Sequence, residues 1–80
     1  DGFAEVMEVE ALETSSVVNI PLKDLKRPDN MIIGAIYRDG EVIIPRPDTV
    51  IHSHDRVLIL AEHTKVREVE QMFAVRPEYF

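Results

Sequence analysis

Eighty residues and 9.2 kDa leave room for one domain, which buries only about 60–65% of its unfolded surface, so a partner covering more of it is expected. The absence of Cys excludes disulfide scaffolds and cysteine zinc sites, and 9 Lys+Arg against 15 Asp+Glu, a net charge of −6, excludes a general nucleic-acid binder, which must displace counterions from phosphates. The 45% hydrophobic content belongs to a folded chain, yet the longest uncharged apolar runs, Met31 to Tyr37 and Val57 to Ala61, fall far short of the ~20 residues of a membrane helix.

The chain opens on Asp1-Gly2, with neither Met nor the charged and apolar regions of a secretory signal, and reads as a piece of a longer chain. From Phe3 to Leu12, Phe3, Met7, Val9 and Ala11 share one parity and Glu8 and Glu10 the other, which predicts a strand with one wet face. Thr14-Ser15-Ser16 breaks the pattern. Pro21 then opens a short helix, with Leu22 and Leu25 pointing into a core. Arg27-Pro28-Asp29-Asn30 has the composition of a turn.

Met31 to Arg38 is rich in β-branched residues and too short for a typical helix, which predicts a largely buried strand. Asp39-Gly40 follows, the strongest short hairpin signal, because a type I′ turn needs positive φ at both central residues. Glu41 to Ile44 is the return strand, stopped by Pro45-Arg46-Pro47, which cannot donate to a central ladder. Val50 and Ile51 are expected to tuck under the sheet. His52 to Asp55 is a polar turn, and Arg56 to Glu62, apolar on both parities, is a central or helix-covered strand. Thr64 is a candidate N-cap for a last helix whose Val66, Val69, Met72 and Phe73 form one apolar stripe. The core spans 3–73, within a single 1–80 domain, and 74–80 is a tail with Tyr79 and Phe80.

Candidate chemistry is sparse. His52, His54 and His63 with Asp55 and Glu62 are metal-ligand types, but His63 lies at the far end of a strand of about 20 Å from the other two, which reads as solvated turn histidines and no metal site. No serine sits in a Gly-x-Ser-x-Gly elbow, no glycine-rich phosphate loop is present, and Glu8 and Glu10 lie where nothing desolvates them. No enzyme is expected. The hairpin is more informative: Ile32, Ile36 and Arg38 share a parity, and Ile43, Ile44, Pro45 and Arg46 complete the return. An arginine beside an apolar patch suits a phosphate with a base or a second subunit on the patch. The alternative pairs Arg38 with Asp39, Glu41 or Asp48 at the surface.

An ordered set of motifs now stands out: Asn19 to Leu25, then Ile32 to Pro45 with its Arg-Asp-Gly and Ile-Pro, then Asp48-Thr49-Val50-Ile51, then Asp55-Arg56 opening the last strand. Over nearly the whole chain this resembles the C-terminal domain of the RCK family, also called TrkA-C, found in potassium-transport regulators. The tail from Met72 to Phe80 also resembles the C-terminus of bacterial Trk regulatory subunits. The resemblance implies an α+β fold, a small β-sheet with a central β-hairpin, one short helix after the first strand and one C-terminal helix, in a two-layer sandwich.

It further implies a cytoplasmic, non-enzymatic regulatory domain that forms a homodimer, follows a nucleotide-binding domain, and works with a membrane potassium transporter or channel subunit. The fragment itself holds no cofactor, but some relatives bind a small nucleotide effector of the cyclic di-AMP type, and the corresponding positions here are Ile32, Arg38, Ile44 and Pro45. Two other readings stay open: a purely structural dimerisation module with sensing in the upstream domain, and a regulatory domain of another cation transporter or antiporter. The family usually has Gly before the Asp that opens the last strand. His54 stands there, so His54 is expected to take a positive φ if the turn is kept.

Overall fold

A computed structural model describes residues 3–74. Strands β1 (Ala4–Glu10), β2 (Met31–Arg38), β3 (Glu41–Ile43) and β4 (Arg56–Glu62) form one antiparallel sheet in the order β1-β4-β2-β3. The last strand thus lies between the first and second, as its two-sided apolar character required. A single 3-10 turn at Leu22–Asp24 is the short helix expected after Pro21, and a second at His63–Lys65 leads into α1 (Val66–Phe73). The α+β class and the hairpin are as expected; the tail beyond Ala74, with Tyr79 and Phe80, lies outside the described residues.

Register explains which face is covered. Val9, Val57, Ile36 and Ile43 form one row across all four strands, and Met7, Ile59 and Ile33 form the next. Val57, Ile59, Ile33 and Ile36 are buried, and Val69 and Phe73 of α1 join the same cluster with Val17, Leu22 and Ile51 from the connections. Each large aliphatic side chain so buried contributes about 1.5–3 kcal/mol. The second layer is therefore α1 plus two connections stitched together by backbone: Asn19 N–H donates to Ile51 O at 2.8 Å, Leu22 N–H to Thr49 O at 2.9 Å and Lys23 N–H to Pro47 O at 2.8 Å.

Met31–Arg38 is largely buried, at Met31, Ile33, Ala35 and Ile36, with Ile32 open at 60% exposure. Two expectations need correction. The parity of this strand changes midway: Ile33 pairs with Ile59 and Ala35 with Leu58, so Gly34 is an extra residue in β2. A bulge of one residue carries the following side chains to the opposite face, and Ile36 is consequently fully buried although it shares a sequence parity with Ile32. Thr64 does not cap α1: Lys65 holds the N-cap position without a side-chain bond, and the Thr64 hydroxyl donates to Glu62 Oε1 at 3.0 Å. The opposite helix end is better served, with the Ser15 and Ser16 hydroxyls each donating to the Met72 carbonyl at 3.3 Å, one of the carbonyls a helix end leaves unpaired.

Turn chemistry follows the sequence closely. Asp39 and Gly40 have φ of 51° and 79°, the double positive φ of a type I′ loop, between the paired Arg38 and Glu41. His54 takes φ of 73°, the conformation expected of it in place of Gly.

Candidate functional site

Arg38 ends β2 immediately before the hairpin turn. Its Nε donates to Asp55 Oδ1 at 2.9 Å, and its Nη2 donates to Asp55 Oδ2 at 2.7 Å and to the Val50 carbonyl at 2.9 Å. Asp55 Oδ2 also accepts the His52 N–H at 2.9 Å. The arginine side chain is 26% exposed and the aspartate 2%, so this is a two-pronged, nearly dry ion pair, the strong class of charge-assisted hydrogen bond. Burial pushes the Asp55 carboxyl up, but the bonds from Arg38 and the His52 N–H outweigh it and hold the group below its usual range. The bond to Asp55 raises the guanidinium in turn.

The pair is made by topology. Tyr37 lies opposite Arg56 across β2 and β4, which brings the residues after Tyr37 and before Arg56 together. Asp39, Glu41 and Asp48, the partners considered from sequence, are not the ones used. The partner is Asp55, which stands directly before the strand that pairs with β2 and is brought to Arg38 by that register.

Ile32, Ile44 and Pro45 fall elsewhere. Ile44 is 68% exposed, and Ile32 and Pro45 line a pocket of about 380 Å³ together with Lys23, Arg27 and Arg46. Arg38 belongs to a separate recess of about 130 Å³ with His52, His54 and Asp55. Because of the bulge, Ile32 and Arg38 point to opposite faces of the sheet. The structure therefore brings Ile32 and Pro45 together and holds Arg38 apart, and it adds Lys23 and Arg27, which sequence spacing did not connect to the hairpin. Among the described residues no three His, Asp or Glu side chains converge on a metal position.

On the open face of the sheet, Val6, Leu60 and Ile32 form one row across β1, β4 and β2, and all three are exposed. Arg56 and Glu8 flank it with a 2.8 Å surface ion pair. No helix among the described residues is long and apolar enough to cross a membrane.

Comparison with known proteins adds a family. Residues 6–74 match the TrkA-C domain. The chain is 45% identical over 80 residues to the Trk system potassium uptake protein TrkA of Azorhizobium caulinodans, a match covering 100% of this chain and 18% of that protein. It is 36% identical over 72 residues to a Trk system potassium uptake protein TrkA homolog of Archaeoglobus fulgidus, covering 90% of this chain and 16% of that one. The chain thus spans less than a fifth of the length of these relatives. A solved RCK domain with cda superposes with a TM-score of 0.76 at 26% identity, covering 86% of this chain and 97% of that one. The RCK_C domain dimer of S. agalactiae BusR in complex with c-di-AMP shares the fold, with a TM-score of 0.76 at 22% identity over 95% of this chain and 96% of that one.

Proposed function

The chain belongs to the TrkA-C domain family, and we propose that it is the regulatory, non-enzymatic domain of a potassium-uptake system, dimeric and responsive to a small effector on the cytoplasmic side of the membrane. The observation that carries this reading is the 45% identity with a Trk system potassium uptake protein along the whole of this chain. The remaining four fifths of such a protein would supply the nucleotide-binding domain and the contacts to the transporter.

Effector binding is assigned to Ile32, Arg38, Ile44 and Pro45, with a cyclic di-AMP type nucleotide as the ligand class. The exposed isoleucines and the proline offer flat apolar contact for a base. Arg38 keeps Nη1 without a hydrogen-bond partner among the described residues, while Asp55 holds its other edge. Since Ile32 and Arg38 face opposite sides of the sheet, one ligand meets both around the short β3 edge or from two copies, which favours a site at a dimer contact. Such a ligand regulates only by binding two assembly geometries with different affinity; moving a 1:99 equilibrium to 99:1 takes a difference of about 10⁴.

A second reading, a structural dimerisation module with sensing elsewhere, is favoured by the commitment of Arg38 to Asp55. Isothermal titration of the chain with c-di-AMP separates the two. Saturable heat that Ile44→Ala and Pro45→Ala weaken at least tenfold, about 1.4 kcal/mol or more, with dimerisation intact, supports effector binding. A dimer that gives no heat leaves the structural module. Arg38→Ala is the wrong probe, because it strands a buried carboxylate.

A further inference from the structure

The geometry points to a phosphate-binding subsite formed by Lys23, Arg27 and Arg46 over the apolar floor of Ile32, Ile33 and Pro45, selecting a mononucleotide-like anion: a phosphate or pyrophosphate joined to a flat, poorly hydrated body. The inference deepens the effector reading and rests on it in one respect, since Ile32 and Pro45 are common to both; the phosphate partners are new.

Three observations converge on this pocket. Three of the nine basic residues of a chain with net charge −6 line it, and its lining contains no carboxylate. The other four pockets described on the surface each include one, from Asp24, Glu68, Asp39 and Asp55, or Glu62. Arg38, Arg56 and Lys65 are paired with Asp55, Glu8 and Glu68, whereas among the described residues Lys23, Arg27 and Arg46 have no carboxylate within ion-pairing distance. Like charges gathered without counter-charge repel one another, and an anion relieves that repulsion.

The pocket is also held in shape. Lys23 N–H donates to Pro47 O at 2.8 Å, Leu22 N–H donates to Thr49 O at 2.9 Å, and Arg46 N–H donates to Thr49 Oγ1 at 2.9 Å, so its two walls are bonded together through backbone. Pro45 and Pro47 restrict the chain on either side of Arg46, because each ring fixes its own φ and Pro47 limits the residue before it. A volume of about 380 Å³ lies in the range of small-molecule sites.

The test is a ¹⁵N-HSQC titration of the 80-residue chain with sodium pyrophosphate, AMP and adenosine. Pyrophosphate and AMP should shift the amides of Lys23, Arg27, Ile32 and Arg46 saturably and more weakly as salt rises, with adenosine at least tenfold weaker than AMP. Arg27→Ala combined with Arg46→Ala, both at exposed positions, should keep the circular dichroism spectrum and lower AMP affinity at least tenfold. Unchanged AMP affinity in that double variant, or shifts confined to Arg38, His52 and Arg56, overturns the subsite. Full c-di-AMP heat in the double variant sinks this inference and spares the effector reading; AMP binding at Arg46 with no c-di-AMP heat does the reverse.

Discussion

A carboxylate as dry as that of Asp55 survives in a small domain because donors meet it from two directions, the Arg38 guanidinium and the His52 N–H. Asp55→Ala therefore strands a half-buried arginine, and should lower stability by about 3 kcal/mol. At about 4–8 °C per kcal/mol for a domain of this size, thermal melting will register this as a drop of more than about 12 °C. The pH dependence has a definite sign. Asp55 titrates lower in the fold than in the unfolded chain, so its contribution is fully present above the ordinary carboxylate value of about 3.9 and is lost as pH falls through the lower folded value. The gap in melting temperature between wild type and Asp55→Ala should stay constant from neutral pH to about 5 and narrow below about 4. A gap that widens on acidification contradicts the assignment. From sequence, Arg38 was recognisable as the informative arginine, but its partner was not, because a contact between residues seventeen apart is set by strand register rather than by spacing.

At the scale of elements, the hairpin and the bulge show where local chemistry decides structure and where it does not. Asp39-Gly40 could be read directly, since few dipeptides accept two consecutive positive φ values. Nothing lies within 4 Å of where a Gly40 side chain would begin, yet its φ is 79°. Gly40→Ala should thus cost about 1–2 kcal/mol purely through backbone strain, seen as an earlier denaturant midpoint with an unchanged slope. The bulge at Gly34 had no such signature. It exists because β4 pairs with β2 on both sides of it in registers one residue apart, and its effect, sending Ile32 and Ile36 to opposite faces, undoes the shared parity that had grouped Ile32 with Arg38. The last helix was legible through its stripe: Val69 and Phe73 are buried and Val66 and Met72 half-buried. Its N-terminus was not, because the 3-10 turn at His63–Lys65 absorbs Thr64 before the helix begins. The basic pocket combines the same two cases, with Pro45-Arg46-Pro47 evident as a stiff strand end and its closeness to Lys23 established only by the bonds between connections.

For the molecule as a whole, the small size of the chain is expressed in a sheet that the described residues cover on one side only. α1 and the connections bury one face, and the other presents Val6, 69% exposed, beside Leu60 and Ile32. An aliphatic row crossing three strands is the kind of exposed surface that marks an interaction site, and a second copy placed on it would supply the burial that 80 residues alone lack. If the dimer of the proposed function forms there, folding is coupled to association, and the melting temperature rises with protein concentration. Ile32→Glu is the discriminating change. Its side chain is mostly in water in the single copy, so the monomer's circular dichroism should be unaffected, while a charge placed in an apolar contact loses its hydration without gaining a partner. Sedimentation equilibrium should show the wild-type chain as a dimer and Ile32→Glu as a monomer whose melting temperature no longer depends on concentration. A dimer that persists in Ile32→Glu would put the contact on another surface and leave Ile32 to the ligand alone. The dimer contact and the floor of the basic pocket would then be separable, and an anion held by Arg46 could no longer act on the pairing of two copies through this isoleucine.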